Sequence, residues 1–327
     1  MNIFLCISID CECDKGPAWR IRKPLAFSGI SQGIGDRLQP LFRRFRVKPT
    51  YLLSPEVMRD AKALETIAAL QNQAELGTHL HGEFAEPGAF EPDVTAAFQC
   101  RYDRETEQQK LHYLTDVFRR SFGRTPRSFR AGRFGIGRHT LGLLQDLGYF
   151  VDSSVTPHMN WRCAGAPDVS FLQAPTQPYW PEADKPGQPS PHAGALLEVP
   201  VTIRPSVLAK LPIVGRYAQS RWLCPTRGGV GRLVRIAREE IEHARFSGRP
   251  IVLNCMFHNV DVVAGTSPFA KNEAEADATI KRLAELLAFS QREGIRSLGL
   301  SDVLELFIPS SSAEANYPNA DHLAAEQ

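Results

Sequence analysis

Hydrophobic and polar positions alternate with a period of two in three segments of this chain. In the first, Ile3, Leu5, Ile7 and Ile9 are aliphatic, while the even positions read Phe4, Cys6, Ser8, Asp10 and Glu12. In the second, Ile251, Leu253, Cys255 and Phe257 share one face, and Val252, Asn254, Met256 and His258 share the other. In the third, residues 197–203, the odd positions are again aliphatic and the opposite face carries Glu198 and Thr202. An extended chain turns successive side chains to opposite faces, so each segment predicts a strand with one greasy and one mixed face. Such strands suit a barrel wrapped by helices, with polar groups gathered at the strand ends. An open α/β sheet satisfies the same parity.

Between these strands the pattern switches to helical spacing, which predicts βα units. A helix is expected over 30–45, with Ile34, Leu38, Leu41, Phe42 and Phe45 on one stripe and Pro40 interrupting it. Strand 49–53, helix 55–71 and strand 75–81 follow. After a loop over 82–100 comes a long charged helix, 103–122, stopped by Gly123. Strand 128–131, a glycine-rich turn, helix 140–147 and strand 150–155 continue the alternation. Residues 157–195 and 204–227 lack periodicity and read as two insertions. A helix near 230–244, a helix with Ile280, Leu283 and Leu287, and a final strand over 295–300 complete the domain, expected to span 1–308. The Ala-, Ser- and Asn-rich residues 309–327 read as a disordered tail.

Composition narrows the class. A chain of 327 residues with 43% hydrophobic and 23% charged residues is an ordinary globular protein with room for a large core. A net charge of +2 gives no reason to expect nucleic acid or an acidic membrane as a partner. No apolar run is long enough to span a bilayer, and no secretory leader pattern opens the chain, so a cytoplasmic protein is expected. The seven irregularly spaced cysteines do not form a disulfide framework. Cys11 and Cys13 fall on the face opposite Asp10 and Glu12, and no second Cys pair completes a thiolate metal site.

The chemistry is concentrated at two strand ends. Asp10 and Glu12 share a face, and so do His79 and His81 in Gly77-Thr78-His79-Leu80-His81. Where those ends meet, two carboxylates and two imidazoles converge, enough to hold a divalent metal with one carboxylate left as a base.

These motifs resemble those of the polysaccharide deacetylase (NodB-homology) superfamily over about residues 1–306. The resemblance is carried in order by Ser8-Ile9-Asp10-Cys11-Glu12, Gly77–His81, Phe129-Arg130-Ala131-Gly132-Arg133-Phe134-Gly135, Asp152-Ser153-Ser154 and Met256-Phe257-His258. It implies a distorted (β/α) barrel of seven or eight strands and a divalent metal, usually zinc, that activates water to hydrolyse N-acetyl groups. Two positions depart from the usual pattern. Relatives often have adjacent aspartates in the first motif, where this chain has Asp10 and Cys11 followed by Glu12. They usually place the second metal histidine four residues after the first, where this chain has Glu83.

On this resemblance Glu12, His79 and His81 are expected to hold the metal, with Asp10 as general base and His258 as proton donor to the leaving amine. Arg130 is expected to pair with Asp10, and a backbone N–H near Arg133 to help stabilise the oxyanion. Exchange of roles between Asp10 and Glu12 is the alternative. Arg133, Phe134, Asp152, Trp161 and Trp180 are expected to contact substrate, the last two from an insertion that also holds Tyr179. Trp222 belongs to the second insertion, and Trp19 is placed on the same rim. The expected reaction removes an N-acyl group from a cytosolic nucleotide- or lipid-linked sugar used in surface polysaccharide synthesis. A non-sugar amide or ureide is the rival substrate, and a catalytically silent carbohydrate-binding relative the rival class.

Overall fold

The computed structural model describes residues 2–88, 98–162, 169–206 and 220–308. The expected tail and parts of both insertions lie outside the described residues. Eight parallel strands form the main sheet: β1 (Ile3–Cys11), β2 (Thr50–Leu53), β3 (Glu75–Leu80), β4 (Ser128–Ala131), β5 (Val151–Asp152), β6 (Leu197–Glu198), β7 (Ile251–His258) and β8 (Arg296–Ser297). Seven run in the order β7-β1-β2-β3-β4-β5-β6, and β8 pairs with the start of β1. Just beyond β6, the Thr202 N–H donates to the Asn254 carbonyl at 3.1 Å, and the Asn254 N–H donates to Thr202 Oγ1 at 2.8 Å. These bonds draw the edge strands together and curl the sheet into a distorted (β/α) barrel.

The two faces of β1 behave as its parity predicts. Leu5, Ile7, Ile9 and Cys11 pack outward into the main core against Ile30, Ile34, Leu283 and Leu287 of the surrounding helices. Each aliphatic side chain buried there contributes about 1.5–3 kcal/mol. Cys6 points inward and joins Leu52, Val151, Leu197, Val252, Leu300 and Val303. That second cluster fills the barrel near the N-terminal ends of its strands. Nearer the C-terminal ends the interior turns polar, at Ser8, Asp10, Arg130, Ser153 and Asn254.

Five expected elements come out differently. The first helix begins as a π-helical stretch, Gly29–Leu38, and becomes α-helical over Gln39–Phe45. Pro40 lies in the first turn of that second part, where its missing N–H costs least. The expected helix 55–71 divides into Pro55–Arg59 and Ala61–Ala68, with Asp60 capping the second through a 2.8 Å bond from the Ala63 N–H. The fifth, sixth and last strands keep only two ladder residues each, because the chain beyond them bonds irregularly, as Val201 does to the Val155 carbonyl.

The helix at 29–38 positions the loop that follows β7. A side-chain carbon on Gly29 would sit 2.7 Å from Asn259 Nδ2, and one on Gly33 2.8 Å from the Asn259 carbonyl. Only glycine permits that approach. Asn259 in turn grips the backbone of Glu12, accepting from its N–H at 2.9 Å and donating to its carbonyl at 3.0 Å.

Candidate metal centre

β1 and β3 lie on either side of β2, so their C-terminal ends open at the same height. Glu12 Oε1 lies 2.7 Å from His81 Nε2 and 3.2 Å from His79 Nε2, and all three side chains are buried. Among the described residues these three form the group able to hold a metal ion, with ligand atoms within 4.8 Å of one another. The His79 Nδ1–H donates to the Arg130 carbonyl at 3.0 Å, since a carbonyl can only accept. His79 thereby turns Nε2 towards Glu12 Oε1, the two atoms that a cation between them would take as ligands. His81 Nδ1 is backed by Glu83 at 3.1 Å, the outer-shell arrangement common behind ligating imidazoles. Burial works against a charged His81 ring, but Glu12 and Glu83 outweigh it and push its pKa up to about 9. Burial likewise opposes ionised Glu12, yet His81 and Lys15 hold its carboxyl well below the usual range. The residues present fit a divalent cation, which would displace the His81 proton.

Asp10 sits beside this triad, with Oδ2 3.7 Å from His79 Nε2. Arg130, completely enclosed, donates to Asp10 Oδ1 at 2.6 Å, to Ser8 Oγ and Ser153 Oγ at 2.8 Å each, and to the Ser153 carbonyl at 2.7 Å. Burial alone would raise the Asp10 pKa, but Arg130, His79 and His258 outweigh it and keep the group below the ordinary aspartate value. His258 ends β7, in register with Asp10 across the pair. Its Nε2 lies 3.9 Å from Glu12 Oε1, and its Nδ1 3.4 Å from Asp261 Oδ2, which also accepts from the His258 N–H at 2.9 Å. Burial opposes its charged form, but Asp261 and Glu12 prevail and raise the pKa to about 9. Trp19 stands edge-on to the same ring at 5.1 Å.

The glycine-rich turn after β4 carries a different load from the expected one. Arg133 forks onto Glu83 at 2.7 and 3.2 Å, so its guanidinium supports the carboxylate behind His81. Arg133 and Phe134 both hold left-handed backbone, φ 55° and 54°, a strained pair of the kind that gathers at functional sites. The loop bearing Glu83 is fixed from below by Lys110, which donates to the carbonyls of Gly82, Ala85 and Pro87 at 2.9, 2.7 and 2.6 Å. Phe134 stacks on Trp161 with centroids 5.7 Å apart and leans on Trp222 at 5.5 Å. With Met256, two residues before His258, they make an apolar wall near the triad.

Two expected substrate contacts are corrected. Trp180 packs against the cluster of Val151, Leu197, Val252 and Leu300, at the opposite end of the strands from His258, and so anchors its loop there. Asp152 is wholly enclosed: it accepts from Ser154 Oγ at 2.5 Å, and the buried carboxyl of Glu198 lies in register beside it. Burial and the charge of Asp152 push the Glu198 pKa well up, so the pair retains a proton. An unfolded glutamate releases that proton near pH 4.3, whereas the folded protein keeps it to higher pH. Stability is therefore expected to fall as pH rises above that value, until the folded group also ionises. In Glu198→Gln that slope should flatten, as read from urea unfolding at a series of pH values.

Three participants have no periodic signal in the sequence. Asn259 and Asp261 belong to the turn after β7, and Lys15 to the loop after β1. Lys15 Nζ lies 2.8 Å from Glu12 Oε2 and is almost fully buried. Burial disfavours its charge, but Glu12 more than compensates and keeps its pKa above the ordinary lysine value.

No family model matches this sequence, and no curated protein matches it. Solved structures do share its fold. A candidate polysaccharide deacetylase from Mycobacterium smegmatis aligns with a TM-score of 0.52 and 18% identity, over 93% of this chain and 89% of its own. The allantoinase PuuE aligns at 0.56 and 13% identity, over 96% and 92%. A GH57 branching enzyme from Thermococcus kodakaraensis aligns at 0.52 and 13%, over 94% and 71%. One scaffold thus carries several reactions, and the reaction has to be argued from the site. The curled parallel sheet, with its order of strands, is a fold that this chain shares with these enzymes.

Proposed function

We propose that this chain is a metal-dependent hydrolase of linear amide C–N bonds. Its substrate would be an N-acylated, chiefly N-acetylated, sugar intermediate of surface polysaccharide synthesis. The observation that carries the reading is the triad of Glu12, His79 and His81 with an arginine-held Asp10 at its edge. Two imidazoles and one carboxylate suit zinc and leave coordination positions open. A divalent cation there would acidify water and polarise a carbonyl. Asp10 takes a proton from the attacking water, and Arg130 keeps that carboxylate ionised and aimed. His258, backed by Asp261, gives a proton to the leaving nitrogen, which departs poorly as an anion. The unpaired thiols Cys6, Cys11, Cys13, Cys224 and Cys255 fit a reducing, cytoplasmic setting. No helix among the described residues is long and apolar enough to cross a membrane.

The allantoinase likeness favours a second reading, hydrolysis of a ureide by the same groups. The purified protein should release acetate from a panel of N-acetylated nucleotide- and lipid-linked sugars, lose that activity to a chelator and regain it with zinc. Turnover of allantoin without acetate release would select the ureide. A protein that binds no metal and turns over neither class would be a silent binder, and the hydrolase reading would fall.

A further inference from the structure

We infer that Lys15 holds Glu12 to the metal through a single oxygen, and thereby sets the affinity and acidity of the centre. The inference rests on the metal reading above. Glu12 presents Oε1 to both imidazoles, at 2.7 and 3.2 Å, while Oε2 is taken by the Lys15 ammonium at 2.8 Å. Lys15 does not reach in from a free surface. Its N–H donates to the Thr266 carbonyl at 3.0 Å, its carbonyl accepts from the Arg20 N–H at 2.7 Å, and its side chain is 4% exposed. The ammonium is therefore built in at a fixed place, one carboxylate away from the cation position.

A carboxylate can bind a cation through one oxygen or two. With Oε2 occupied by an ammonium, only Oε1 remains. The ammonium also withdraws negative charge from the ligand and repels a dication, in a buried setting where such terms are weakly screened. Both effects loosen metal binding. Both also leave the cation more electron-poor, which strengthens it as a Lewis acid. A neutral side chain at position 15 should therefore bind metal more tightly and work less well. A lysine with a merely structural role predicts the opposite sign, since removing a support from Glu12 would loosen the site.

The test uses the full chain stripped of metal. The Zn2+ dissociation constant is measured by competition with a chromogenic chelator for the parent protein, Lys15→Met and Lys15→Arg. Lys15→Met should bind about 10-fold tighter, the lower end of what outer-shell changes do to affinity. Lys15→Arg, which keeps the charge, should return to within a few-fold of the parent. With Co2+ in place of Zn2+, Lys15→Met should lose visible absorption intensity as the second carboxylate oxygen joins and the coordination number rises. Thermal unfolding of the metal-free proteins establishes folding. If Lys15→Met does not fold, Lys15→Gln replaces it with the same expectation. Equal or weaker Zn2+ binding by the folded neutral variant overturns the inference and leaves the metal reading standing. A parent protein that binds no Zn2+ overturns both.

Discussion

Asp10→Asn is expected to keep its zinc and to lose about 10²–10⁴-fold in kcat, the usual weight of a positioned general base. The amide has nearly the shape of the carboxylate and can still meet Arg130, but it cannot take a proton. The carboxylate of Asp10 is already committed on one oxygen to Arg130 at 2.6 Å, leaving Oδ2 near His79 and the cation position. Elemental analysis beside steady-state kinetics separates the roles of the two carboxylates. Retained zinc with lost turnover fits Asp10 as the base. Loss of zinc would show instead that Asp10 is a ligand, and that Glu12 has the other duty.

Arg130→Met should give the largest loss of stability of any single change at the site, about 3–5 kcal/mol, because it leaves the buried Asp10 charge without its partner. The change also removes the guanidinium's bonds to Ser8 Oγ, Ser153 Oγ and the Ser153 carbonyl, although both hydroxyls keep Asn254 as a partner. Burial would remain while the cation is gone, so the Asp10 pKa would rise. The acidic limb of the pH–rate profile should then move to higher pH, since the base must lose its proton to act. Urea unfolding measures the first effect and the profile the second. Adding Asp10→Asn to Arg130→Met removes the unpaired charge, so the double variant should be more stable than Arg130→Met alone. Strict additivity of the two losses would mean that the ion pair contributes no coupling.

The convergence at the strand ends was legible from parity alone. Asp10 and Glu12, and His79 and His81, follow the period of two, and the structure brings Glu12, His79 and His81 within 4.8 Å. The strands were legible for the same reason, since greasy odd faces and mixed even faces recur in three of them, but that parity suits an open sheet equally, and closure rests on the bonds between Thr202 and Asn254. Glu198 lay on the mixed face of its segment, yet its pairing with Asp152 depends on β5 and β6 being neighbours, which no local pattern encodes. Lys15, Asp261 and Asn259 belong to turns, where side-chain direction follows the path of the loop and not a repeat. Trp180 shows the converse: its place in an insertion after a strand predicts the catalytic face, but its ring packs on the apolar cluster of Val151, Leu197, Val252 and Leu300. Glu83 stood out as a departure from the family pattern. Its service behind His81 emerged only with the ring that it touches.

Arg130 touches the site twice, with its guanidinium on Asp10 and its main-chain carbonyl on His79 Nδ1. One residue of β4 thus braces two side chains of the candidate site, one from β1 and one from β3. A displacement of Arg130 would therefore disturb both contacts at once. An engineer seeking to widen or narrow the spacing of Asp10 and His79 would have to consider β1 as well, where the Asp10 backbone is held by its ladder to His258.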